Sequence, residues 1–243
     1  MNIKGIFILI GLVGLLGNQY SVAATEQRIR SENEVKSVEN TLSNQQQAII
    51  PIAAFAATGD LESLNRELNQ GLDDGLTINE IKAVLVQTYA YAGFPRSLNA
   101  LAEFMRVIEL RKSQGIDDQE GKDSQPLAQD YNARVQGEQN QTQLVGQPVT
   151  GALFEFSPEI DEYLKTHLFG DIFSRDVLSW QDREIATVSM LAAMIGTESQ
   201  LKSHVNMSLN IQVSVQQLNQ IQQILAEKVS LDASQKLQKI LNP

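Results

Sequence analysis

SWQDREIATVSMLAAMIGTESQLKSHV, residues 179–205, decides the fold class. Ser179 and Asp182 stand at the spacing of a helix N-cap and its reciprocal partner, so a helix opens near Trp180. From Ile185 to Ile195 nearly every residue is apolar, around the whole circumference of a 3.6-residue turn. A helix that is apolar on all sides is one enclosed by others. Gly196 ends it, and Thr197-Glu-Ser-Gln200 reads as a second capping box before a helix that carries His204 beside the apolar Val205.

Working outward, the same periodicity recurs and period-two alternation is almost absent, which makes the chain all-α. Leu61, Leu64, Leu68 and Leu72 form one stripe, and Ile81, Val84, Leu85, Thr88 and Ala92 a second. Leu98, Leu101, Met105 and Ile108 are expected to form a third, after Gly93 and a Pro95 suited to a helix's first turn. At an offset of 137, Gly59 falls on Gly196, Leu64 on Leu201, Leu68 on Val205 and Leu72 on Leu209. The box Thr77-Ile-Asn-Glu80 falls on Ser214-Val-Gln-Gln217 at the same offset. The reading is of two tandem helical units, residues 25–111 and 151–243, joined by a polar linker at residues 112–150. In the second unit Ser157-Pro158-Glu159 starts a helix expected to end near Phe169 and Gly170.

Residues 1–24 read as a secretory signal peptide. Lys4 precedes a thirteen-residue apolar run that would rise only about 20 Å as a helix, short of a bilayer's hydrocarbon core. Ser21-Val-Ala-Ala24 supplies small residues for cleavage near Ala23 and Ala24. The alternative is an uncleaved anchor. Cleavage would leave an exported protein, periplasmic or secreted, with no stable membrane anchor.

Composition excludes several chemistries. Nineteen Lys and Arg against 29 Asp and Glu give a net charge of -10, which argues against nucleic acid as a partner. There is no cysteine, so thiol redox chemistry, disulfides and thiolate metal sites are excluded. The two histidines, His167 and His204, leave little for a metal site.

Few residues remain that carry chemistry. Arg183 and Glu184 sit at the mouth of the buried helix, where the plain reading is a first-turn acid beside a solvated arginine. His204 borders an apolar stripe and is either a satisfied boundary residue or a proton donor. Arg175, among Phe173, Val177 and Leu178, either snorkels or holds an anion. His167, near a helix end, reads as structural. Tyr89 and Tyr91 bring hydroxyls onto an apolar helix and need partners if buried. Arg96 follows the turn proline and reads as exposed.

Two blocks resemble the carboxymuconolactone decarboxylase family, which shares its fold with alkylhydroperoxidase-like proteins. LTINEIKAVLVQTYAYAGFPRSLNAL, residues 76–101, is similar to its capped helix, Gln, Tyr-x-Gly-x-Pro corner and small-residue helix. FGDIFSRDVLSWQDREIATVSMLAAMIGTESQLKSHV, residues 169–205, is similar to its Gly-Asp-hydrophobic-aromatic-x-Arg approach, the Arg at the buried helix and the helix bearing a His. The peroxidase branch carries Cys-x-x-Cys four residues before that His, where this chain has Thr197 and Gln200. The two units also divide the features: Gln47 stands for Glu184, Glu67 for His204, Lys228 for Tyr91 and Ser230 for Gly93.

The resemblance implies a cofactor-free lyase acting on a small carboxylated lactone or related acid. His204 would donate the proton, with Glu184 orienting it, Arg175 and Arg183 holding the carboxylate and Tyr91 meeting the oxyanion. It also implies homo-oligomers, and a trimer of two-unit chains would imitate a hexamer of single units. The alternative is a non-catalytic small-acid-binding or degenerate member; an antioxidant role is disfavoured by the missing thiols.

Overall fold

The computed structural model describes residues 40–242 and is all-helical over them. The signal-peptide reading lies outside the described residues. Among those described, no helix is long and apolar enough to cross a membrane.

Four helices come first: α1 (Asn44–Thr58), α2 (Leu61–Asp73), α3 (Ile78–Ala92) and α4 (Phe94–Ser113). Then come α5 (Ala133–Val145), α6 (Ala152–Phe156), α7 (Pro158–Tyr163) and a π-helical segment, π1 (Leu164–Ile172). The chain closes with α8 (Trp180–Ala193), α9 (Glu198–Asn210), α10 (Val215–Ile224), a π turn, π2 (Leu225–Val229), and α11 (Leu231–Leu241). From α2 onward the first four helices recur at the same spacing as α9 to α11, and the Gly59 and Gly196 corners have φ of 75° and 78°.

The centre is the pair α1 and α8, which pack on each other. Ala48 to Ala57 and Arg183 to Ala192 are buried without interruption, because neither helix has a face left for water. Each opens on a capping box, Ser43 with Gln46 and Ser179 with Asp182. The two boxes are joined, since Gln46 Nε2 donates to Asp182 Oδ1 at 2.9 Å. Leu64 and Leu68 of α2, Ile81 and Leu85 of α3, Leu201 of α9 and Leu218 of α10 complete one core. Each such leucine contributes about 1.5–3 kcal/mol through burial.

Four local expectations are corrected. The buried face of α4 is Ser97, Ala100, Phe104 and Val107, while Leu98 and Met105 of the expected stripe are exposed. Small residues at 97 and 100 let α4 lie close on α3, where Ser97 Oγ donates to the Leu85 carbonyl at 2.8 Å. Thr197 does not cap α9; its hydroxyl turns back to the Leu191 carbonyl at 2.7 Å. Within the stretch read as a polar linker, α5 folds and packs on π1. It has an Asn132 cap and a single buried leucine, Leu144, in place of an apolar stripe, and glycine lets it dock closely. A Cβ on Gly137 would lie 1.7 Å from the Lys165 carbonyl oxygen, so the two backbones meet there. The helix expected to stop near Gly170 continues to Ile172 in the wider π turn. Leu144, Leu168, Phe169, Ile172 and Phe173 form a second, smaller core beneath α5.

Candidate functional site

The first turn of α8, the middle of α9 and the end of α3 converge on one buried polar cluster. The Ser179 box fixes the start of α8 and so places Glu184 on its inner side, with no exposure at all. Across the Gly196 corner, α9 brings His204 back against it, and His204 Nδ1 donates to Glu184 Oε2 at 2.8 Å. A carboxylate only accepts, which assigns the proton to Nδ1 and leaves Nε2 as the acceptor nitrogen of the neutral ring. No residue of the described chain bonds Nε2. His204 keeps 6% of its surface exposed.

Tyr91 stands edge-on to the imidazole, with ring centroids 5.4 Å apart and planes at 77°. Its ring is half-buried, but its hydroxyl is buried and unpartnered, as are Glu184 Oε1 and Arg183 Nε. Burial, and next the Glu184 charge, push the Tyr91 hydroxyl well above the ordinary phenol range; Thr187 and Arg183 pull the other way without offsetting them. Buried polar atoms are nearly always bonded, and these three lack a protein partner within hydrogen-bond distance.

Arg183 is not the solvated arginine of the plain reading. It is 1% exposed, and burial lowers its pKa to about 10. Its Nη1 donates to Gln87 Oε1 at 3.0 Å, its Nη2 to the Arg175 carbonyl at 2.8 Å, and its guanidinium lies 5.9 Å from the Phe173 ring centroid. Gln87, which sequence reasoning missed, completes the tie. Its Nε2 donates to the Arg183 carbonyl at 2.9 Å and to Thr187 Oγ1 at 2.8 Å. A glutamine between Val86 and Thr88, inside an apolar helix, was the available signal.

The structure therefore brings Glu184, His204 and Tyr91 together, with Arg183 alongside. It does not bring the Arg175 side chain to them. What Arg175 contributes to the cluster is its main-chain carbonyl, while its exposed guanidinium lines a cleft that includes neither Glu184 nor His204. His167 is exposed and bonds Asp171 at 3.0 Å, as a structural residue does. Among the described residues there is no group of three or more His, Asp or Glu placed to hold a metal ion.

The positions corresponding to Tyr91 and His204 at the offset of 137 also meet. Lys228 Nζ donates to Glu67 Oε2 at 3.0 Å. At this second location an ion pair stands where Tyr91 and His204 make a ring contact.

The model of the carboxymuconolactone decarboxylase family matches residues 24–104. Over that segment, about a third of the chain, the sequence is similar to the carboxymuconolactone decarboxylase family. The matched segment supplies Gln87 and Tyr91, whereas Glu184 and His204 lie outside it. The all-helical structure agrees with the family's fold. No curated protein matches the chain.

Proposed function

We propose that this family member is a cofactor-free lyase that decarboxylates a small carboxylated lactone or related acid. The single observation that carries the reading is the buried 2.8 Å bond between His204 and Glu184, beside the unpartnered Tyr91 hydroxyl. In the proposed reaction the bond to the carboxylate breaks and carbon dioxide leaves. The electron pair passes into the conjugated lactone carbonyl, giving an enolate. Tyr91 donates a hydrogen bond to the enolate oxygen. The protonated His204 ring delivers Nε2–H to carbon, Glu184 balances the imidazolium, and solvent returns the proton. Arg183, pinned by Gln87, adds a fixed positive field rather than a movable clamp.

The proposal includes an origin by duplication. The recurrence of α1–α4 as α8–α11 and the paired Lys228 and Glu67 support it. A fused pair assembling as a trimer, and export directed by residues 1–24, complete the reading.

The test is a panel of lactone carboxylic acids in heavy water. Carbon dioxide release and incorporation of one deuterium into product are followed by NMR. Glu184→Gln, which keeps an acceptor for Nδ1–H, should lower kcat by about 10²- to 10⁴-fold with helical circular dichroism unchanged. If no acid is turned over, and the variants shift only the melting point, the dyad is structural and the chain is a non-catalytic family member.

A further inference from the structure

The outer face of α3 and the end of π1 enclose a cleft of about 400 Å³ whose lining includes Arg175 and Arg183. Asn79, Lys82, Val86 and Tyr89 follow one another along the α3 wall at helical spacing. Ile172 and Val177 make the opposite wall apolar, and Val86 remains 43% exposed inside it.

The charges of the cleft are not all free. Lys82 is held by Glu120 at 3.0 Å, Asp123 accepts from Asn79 at 3.2 Å, and Asp171 is bonded to His167. Two donors are left over. The Arg175 guanidinium has no partner among the described residues, and Arg183, 1% exposed and part of the cleft wall, has an unpartnered Nε. The two arginines are neighbours, because Arg183 Nη2 donates to the carbonyl of Arg175. A buried charged N–H with no acceptor is costly, and an oxyanion arriving from the cleft is the ligand that would relieve it. Past Tyr89 the surface continues as a second hollow of about 370 Å³, lined by Ile160, Leu164 and Leu168. Two arginines at one end, and a mainly apolar surface that passes Asp171 on its way to Tyr89, suit an acid with an apolar body better than a small polar one.

We propose that this cleft is a binding site for a monocarboxylate with an apolar body, its carboxylate held by Arg175 and Arg183 and its body laid along Val86 toward Tyr89. The cleft shares Arg183 with the site proposed for chemistry but includes neither Glu184 nor His204, so binding here does not require the dyad.

Octanoate, octanol and acetate are titrated into the full chain by calorimetry. Octanoate should bind saturably, and octanol and acetate at least about tenfold more weakly, since each lacks one half of the recognition. Arg175→Gln, at an exposed position, should weaken octanoate about tenfold, and Val86→Glu should abolish its binding by placing a like charge along the apolar path. His204→Gln should leave octanoate affinity unchanged, which separates this site from the dyad. Octanol binding as tightly as octanoate, an unchanged affinity in Arg175→Gln, or no saturable binding would each overturn the proposal.

Discussion

A phenol buried without a hydrogen-bond partner is a liability that a fold tolerates only where it serves something. The Tyr91 hydroxyl is such a group. Tyr91→Phe should therefore stabilise the protein by about 1 kcal/mol in urea unfolding at pH 7, because it removes an unsatisfied buried polar atom. The pH dependence follows from the direction of its shift. Its folded pKa is raised above the unfolded phenol value, so its neutral form is favoured by folding. That contribution is complete below the unfolded value of about 10 and is lost as pH rises beyond it. Alkaline urea melts should show the gap between Tyr91→Phe and wild type widening above about pH 10, and a constant gap would refute the assignment. His204→Ala is the opposite case. It leaves the Glu184 carboxylate buried with no partner and should cost about 3–5 kcal/mol, with Glu184→Gln costing clearly less. Residue types and spacings were enough to nominate Glu184, His204 and Tyr91. Their meeting was not legible, because it depends on how α8 and α9 fold back across Gly196. The burial of Arg183 was hidden for a related reason: its enclosing partner, Gln87, lies 96 positions away in sequence.

At the scale of the element, the legible helices were those with an apolar stripe and a cap, such as α2 with its leucines and α8 with its box. Helix α5 was missed because its stability comes from close backbone approach, which periodicity does not register. Its Gly137 packs on the Lys165 carbonyl, and Gly170 of π1 faces the Ala133 carbonyl, where a Cβ would sit 2.3 Å away. Gly137→Ala must push the two segments apart. It should cost about 3 kcal/mol in urea unfolding, at the upper end of overpacking effects. Gly115 is the control. It has φ of 80° but open space around it, so Gly115→Ala should cost only the conformational penalty of about 1 kcal/mol. Equal losses at the two sites would mean that α5 is loosely docked. The α4 stripe was misassigned by a related confusion, since leucine and methionine were counted as core while the true face is built around small residues and Phe104.

For the whole molecule, the decisive feature is that each half leaves its central helix for the other to cover. Helix α8 makes the most extensive packing against α1, whose remaining sides are covered by α2, α3 and other helices, and the Gln87 to Arg183 tie crosses the same boundary. An apolar helix stripped of one covering layer exposes a patch that a short chain has little other core to offset. Residues 42–113 expressed alone should therefore remain helical by far-ultraviolet circular dichroism, yet bind a hydrophobic dye and melt without a cooperative transition. The same should hold for residues 114–242, which keep α5 on π1. Mixed together, the halves should regain a sharp transition whose midpoint rises with their concentration, because association now supplies the stability that covalent linkage gave. Independent cooperative melting of either half would show that the core is not shared. The recurring spacing of the helix starts was legible in the sequence, but spacing alone carries no information about which faces the helices bury against one another. That packing is what places Tyr91 from the first half beside His204 from the second, so separating the halves should abolish any activity of the dyad and mixing them should restore it.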